Sequence, residues 1–178
     1  NFEIRASSSI SLLKMNSNHK NANAILTSLL NSNENKIIEK TLELLINSDD
    51  LINIDRLSKF LNHHSIEIRK KAIKVSQSYS SIDLINPLLN NLSIPSLIDD
   101  IVKALEKKNK SSTLKRISKL IKLEDSSVKL KKGILRSLRA YQNQESIALL
   151  LLGLQEKDTS IVSVAADSLY QISKNKHI

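Results

Sequence analysis

The chain has 178 residues and a net charge of +9, enough for one or two globular domains with a basic balance. It contains no cysteine, which excludes a disulfide frame, a thiolate zinc site and a cysteine nucleophile. Only two glycines and two prolines occur, so Gly-rich phosphate loops and serial sheet hairpins are excluded in favour of helices joined by Asn, Ser and Asp turns.

In chain order, residues 1–16 read as a solitary second helix of a pair. The chain opens NFEIR without methionine, so the first repeat reads as incomplete. Residues 21–31 and 34–47 make the next pair, and Ser-Asp-Asp at 48–50 caps a helix over 50–62 that buries Leu51, Ile54, Leu57 and Leu61. His63, His64 and Ser65 turn into a further second helix. Pro87 falls inside the following first helix and predicts a kink or a late start, whereas Pro95 stands where a helix can begin. Helices follow at 111–123, capped by Ser111-Ser112, and at 126–141, capped by Asp125-Ser126. The last pair spans 144–155 and 158–174, ending in a flexible polar tail, 174–178.

These helices are copies of one pattern. In 125–141, Leu130, Ile134, Leu135, Leu138 and Tyr141 stand at offsets 0, 4, 5, 8 and 11, a continuous apolar stripe on a helix. The offsets recur at Ile68, Ala72, Ile73, Ser76, Tyr79 and at Ile161, Ala165, Ala166, Leu169, Ile172, with weaker copies from Ile4 (with Ser8, Leu12 and Met15), Ile37 and Leu97. The six starts are spaced 33, 31, 29, 33 and 31 residues apart. Leu30, Leu61, Leu92, Leu123 and Leu154 form a second ladder at a strict period of 31, and Leu26, Leu57, Leu88 and Leu150 repeat it one turn earlier, broken by Lys119. This is a tandem array: an all-α, right-handed solenoid of about six two-helix repeats, filling residues 1–178 as a single domain.

Such units, with an apolar-Arg-x-x-Ala pattern after a polar turn, resemble HEAT repeats, and the short 31-residue form is similar to the HEAT-like repeats of E/F-type bilin lyases. The matching residues are Ile68-Arg69 with Ala72, Ile161 with Ala165 to Leu169, and more weakly Leu130-Lys131 and Ile4-Arg5. Ankyrin and tetratricopeptide signatures are missing, and armadillo repeats are longer and use three helices. The resemblance implies a scaffold or chaperone that clasps another protein. Alternatively, it implies a lyase subunit acting with a phycobiliprotein subunit or a second HEAT-like subunit, the only reading that brings a bilin; otherwise no cofactor is expected.

Charge is the most informative functional signal. Between Lys103 and Arg139 thirteen Lys/Arg face three acids, a net of +10 that leaves the rest of the chain at −1. Lys129, Lys132, Arg136 and Arg139 form one stripe of a helix, and Lys70 and Lys74 occupy the offsets of Lys132 and Arg136 two repeats earlier. Exposed Tyr170 joins them as a partner-contact residue. Lys108 counts with the solvated charges. A lysine-rich solvated face, as AT-biased coding would leave, is the alternative to an anion-seeking groove. Nucleic acid is disfavoured, because aromatics do not interleave the patch and Glu39, Glu43, Asp99, Asp100 and Asp167 interrupt it. His63 and His64 lie in a turn without the spacing of zinc ligands, and no catalytic constellation stands out. No apolar run reaches the roughly 20 residues that span a bilayer, so a cytoplasmic protein is expected.

Overall fold

The computed structural model describes residues 1–48, 51–123 and 126–175. Asp49 and Asp50 of the expected 48–50 cap, Asp125 of the next, Glu124, and residues 176–178 with His177 lie outside the described residues. The chain divides into two compact units, residues 1–79 and 80–178.

The first unit contains α1 (Phe2–Met15), α2 (Lys20–Leu30), α3 (Asn35–Leu45), α4 (Ile54–Leu61) and α5 (Ile66–Ser76). Second helices α1, α3 and α5 pack side by side in that order, while α2 covers α1 and α3, and α4 covers α5. The second unit contains α6 (Ile85–Leu89), α7 (Ile98–Glu106), α8 (Lys110–Ile121), α9 (Val128–Ser137), α10 (Gln144–Gly153) and α11 (Thr159–Asn175). Here α7, α9 and α11 form one row and α6, α8 and α10 the other, each helix touching its partner across the layers.

Local chemistry sets the ends. The orphan N–H groups of the first turns are met by Asn53 (from Asp55, 2.8 Å), Asn109 (from Ser112, 2.9 Å), Ser127 (from Leu130, 3.2 Å) and a reciprocal Asn143/Ser146 box. The caps of α8 and α9 are therefore Asn109 and Ser127, not the expected Ser111-Ser112 and Asp125-Ser126, because a cap must immediately precede the helix it closes. Helix α4 likewise starts at Ile54, after Asn53, and leaves Leu51 and Ile54 only half-buried. After α3, Asn47 takes a left-handed conformation (φ 67°), which an asparagine tolerates better than most residues. Pro87 gives the late start: α6 begins only at Ile85 after a 3₁₀ turn, so the proline lies in its first turn, where no N–H is needed. Pro95 opens the 3₁₀ turn that leads into α7.

Two register expectations are overturned. In α1, Ile4 and Met15 are 65% and 85% exposed and Leu12 is exposed too; the buried residues are Ala6, Ser9, Ile10 and Leu13. The stripe starts at Phe2, whose row is apolar at Phe2, Ala6, Ile10 and Leu13, whereas the row from Ile4 is broken by Ser8. Ser7 to Ser9 are interior to α1. In the leucine ladder, Leu30, Leu61 and Leu92 are buried, but Leu123 is 54% and Leu154 37% exposed.

The exposure of Leu123 has its cause in a pair of compensating connections; Leu154 is exposed although the register has recovered at Leu150. Leu26 to Ile37 and Leu57 to Ile68 are 11 residues apart, Leu88 to Leu97 only 9, Ile117 to Leu130 13, and Leu150 to Ile161 again 11. The α6–α7 connection is thus two residues short and the α8–α9 connection two long. Between them the buried register slips, so Ile117 and Ile121 fill the places assigned to Lys119 and Leu123. In α11 the slots of Ala166 and Leu169 are exposed and half-buried, and Ser168 is buried instead.

Both glycines sit where helices meet. A Cβ on Gly133 would lie 1.8 Å from the backbone oxygen of Leu92, and one on Gly153 would lie 2.8 Å from a Leu135 methyl and 3.0 Å from the Ala165 Cβ. Backbone cannot yield to a methyl as a side chain can. Gly133→Ala, which in a solvated helix gains about 1 kcal/mol, is here expected to cost about 3 kcal/mol or more, and Gly153→Ala much less; urea melts of both measure it. Leu92→Asp and Ile121→Asp should each cost several kcal/mol by burying a carboxylate, and Leu123→Asp no more than about 0.5 kcal/mol. Equal melts for Ile121→Asp and Leu123→Asp would contradict the slipped register.

Candidate functional site

The stripe of α9 exists because its other face is committed: Gly133, Ile134, Leu135 and Ser137 are buried, which leaves Lys129, Lys132 and Arg136 outside. Arg139 continues the line on the 3₁₀ turn Leu138–Ala140. Lys129 is exposed, and Lys132, Arg136 and Arg139 are half-buried. Arg136 and Arg139 form one wall of a depression of about 300 Å³ whose other side is Pro95, Ile98, Asp99 and Val102 from the start of α7. Of these four only Asp99 was brought to the patch from sequence, as an acid that interrupts it; Pro95, Ile98 and Val102 lie one repeat away and meet the arginines only when α7 packs on α9.

The cations of this wall differ in freedom. Arg139 is engaged: Nη2 donates to Asp167 Oδ2 at 2.6 Å and Nε to Ser168 Oγ at 3.1 Å, tying the end of α9 to α11. Lys132 lies close enough to Asp158 to help hold that carboxyl below its usual range, a shift caused first by the hydrogen bonds from Ser160. Arg136 has no hydrogen bond or ion pair among the described residues and can meet an incoming anion. Neighbouring Lys131, which is not in the stripe, is spent on Glu156 at 2.8 Å.

Lys70 and Lys74 belong to the other unit, half-buried on α5. In that unit Glu43 takes Lys40 at 2.9 Å and Lys71 at 3.1 Å, and those hydrogen bonds pull its carboxyl below the usual range. Neither Lys70 nor Lys74 is brought to Glu43. Tyr170 is 55% exposed on α11, with the Lys174 ammonium 5.0 Å from its ring centroid, a cation–π contact within one turn.

The remaining polar candidates are structural. Tyr79 is buried and its hydroxyl accepts from Ile52 N at 2.9 Å and donates to Ile52 O at 3.1 Å, clamping the segment before α4. Burial pushes the Tyr141 hydroxyl up to about 12. His19 Nδ1 accepts from Ala22 N and caps α2, and His63 Nδ1 accepts from Ser65 N in the turn before α5. The His63 and His64 rings are 4.1 Å apart; burial, then the neighbouring charges, lowers His63. No helix is long and apolar enough to cross a membrane among the described residues.

No protein-family model matches the sequence, and neither does any curated protein. Solved structures of similar fold include the following two. One is an engineered protein from a structural genomics consortium, 17% identical with a TM-score of 0.51 over 97% of this chain and 89% of that one. The other is a designed armadillo repeat protein in complex with the peptide (KR)4, 16% identical with a TM-score of 0.52 over 96% of this chain and 90% of that one. Its repeat class is the one set aside above on unit length; the likeness is one of stacked helices. It shows the fold, a helical-repeat solenoid built entirely of helices among the described residues.

One charge is not where the sequence pattern put it. Lys108 is only 4% exposed, at offset 11 from Leu97, the position held by Tyr79 and Tyr141 in other repeats. Desolvation lowers its ammonium to about 8. Because the folded-state value lies below that of the unfolded chain, the charged amine opposes folding fully below pH 8, by roughly 3 kcal/mol. This opposition is relieved as pH rises toward 10.5. Relative to Lys108→Met, the natural chain should therefore gain stability between about pH 8 and 10 in urea melts. A pH-independent difference would mean the amine stays solvated.

Proposed function

We propose that the protein is a helical-repeat scaffold that holds an acidic segment of a partner protein on its second helices, chiefly along Lys129, Lys132, Arg136 and Arg139. The observation that carries this reading is the depression between α7 and α9, which has Arg136 unpaired on one wall and the apolar Pro95, Ile98 and Val102 on the other. A guanidinium in such a place binds a carboxylate by two parallel hydrogen bonds, and the apolar wall takes a neighbouring side chain. A protein of like fold carries a peptide of Lys and Arg. The stripe here is itself basic, so its ligand should be acidic.

Arg139, Asp167 and Tyr170 extend the surface by one repeat, and Lys70 and Lys74 offer an equivalent pair on α5. Asp99 and Asp167 interrupt the positive wall, so an anionic ligand must place its charges at separate points, which a peptide with spaced carboxylates does and a continuous phosphate backbone does not. The narrower readings, a chaperone or a subunit of an E/F-type bilin lyase, use the same wall, with bilin carboxylates as the anions. Both rest on the repeat resemblance, and the lyase reading alone predicts a coloured adduct on co-expression with a phycobiliprotein subunit and bilin.

The test is fluorescence anisotropy with glutamate-rich and lysine-rich peptides. The acidic peptide should bind, weaken as salt rises, and lose about tenfold or more in affinity with Lys132→Glu plus Arg136→Glu. Equal affinity for both peptides, or indifference to the double reversal, would sink the proposal.

A further inference from the structure

Helix α10, QESIALLLLG, is apolar all round, and a helix of that kind has two faces to bury. One is buried: Leu149 and Leu150 lie in the core against the neighbouring helices. The other is not, since Leu151 is 48% and Leu152 42% exposed, with Leu154 beyond them. The register slip in α8 brings a further leucine out beside this face. Leu123, displaced from the core by Ile121, lines the same groove as Leu152, together with Ile121, Lys122, Lys131, Gln155, Glu156 and Lys157.

The groove has a volume of about 660 Å³ and lies wholly within the second unit. Packing does not account for its two leucines: Leu123 and Leu152 contribute little buried surface, and while isolated exposed leucines are common, a pair facing one concavity with Ile121 at its floor marks a contact surface. Among the described residues its rim carries Lys122, Lys131 and Lys157 against Glu156. Glu156 is neutralised by Lys131 at 2.8 Å, which leaves Lys122 and Lys157 without an ion pair among the described residues.

We infer that this groove is a second docking surface, on the face opposite in kind to the basic stripe, and that it takes an apolar segment of a partner protein flanked by carboxylates. Leucine-sized side chains of that segment enter between Leu123 and Leu152, and its acids meet Lys122 and Lys157. Charge complementarity selects this occupant. A second copy of the chain, meeting it groove to groove, would set lysine rim against lysine rim. A bilayer surface needs protruding rather than recessed apolar groups to reach it. The inference does not depend on the second-helix reading, because the two surfaces share no residue.

The experiment uses the full chain carrying Lys132→Glu and Arg136→Glu, so that the stripe is silenced, and a dye-labelled peptide of alternating Glu and Leu pairs. Binding should be measurable by anisotropy. It should weaken about tenfold or more when Leu123→Ser and Leu152→Ser remove the apolar contacts, and again when Lys122→Glu and Lys157→Glu reverse the rim. These side chains are exposed, so an unchanged melting curve verifies each fold. No binding, undiminished binding in the serine variant, or equal binding of a Lys/Leu peptide would overturn the inference. So would leucine-dependent sedimentation with mixed phosphatidylcholine and phosphatidylserine vesicles in the absence of peptide binding. Failure of the purely glutamate-rich peptide on the natural stripe would refute the second-helix reading and leave this one standing.

Discussion

Every helix pair here depends on one constraint: the apolar stripe of a second helix is too wide for its own partner to cover, so it must be shared with the next second helix in the row. Helix α9 shows this directly, with α8 and α10 across the layers and α7 and α11 on either side. Each fully buried leucine or isoleucine contributes about 1.5–3 kcal/mol relative to exposure, and the stripes supply several per repeat. Stability is then distributed along the row, as in other quasi-one-dimensional folds. Close approach is part of the same constraint, which is why Gly133 has the Leu92 backbone where a side chain would start.

The array tolerates irregular connections provided they cancel. A connection two residues short before α7 is followed by one two residues long before α9, and the core register recovers at Leu150. The cost is local. Within the displaced stretch a lysine lies at the offset-eleven position, where Tyr79 elsewhere grips the backbone of Ile52 with both hydrogen bonds of its hydroxyl. Lys108 has a longer stem and an ammonium to desolvate, so the same slot that stabilises one repeat carries a pH-dependent penalty in another.

The charged surface divides into cations that hold the fold together and cations left over. Arg139 joins α9 to α11, Lys131 joins α9 to the connection after α10, and Lys71 joins α5 to α3. Such pairs at or near the surface contribute modestly to stability, but they orient the side chains beside them. Arg136 and Lys122 are among the remainder, one on each surface, and both stand next to apolar groups that a peptide could cover. Binding energy would come from burying those groups, with the cations selecting the sign of the ligand.

Periodicity was sufficient to establish an all-helical repeat, the approximate limits of eight of the helices and the outward stripe from Lys129 to Arg139, because an amphipathic helix writes its buried side into its spacing; residue chemistry gave the turn at His63-His64 and left a kink or a late start open at Pro87, of which the structure takes the late start. Periodicity misassigned α1, where the rows from Phe2 and Ile4 differ by little in apolar content, and it kept Leu123 in a ladder that the chain leaves. Which of two near-equivalent rows is buried depends on the neighbouring helix, and that neighbour's position follows from connection lengths on both sides. The depression at Arg136, the Leu123–Leu152 groove and the burial of Lys108 were decided the same way: each is made by residues from different repeats, whose distances are set by packing between helices and not by spacing within one.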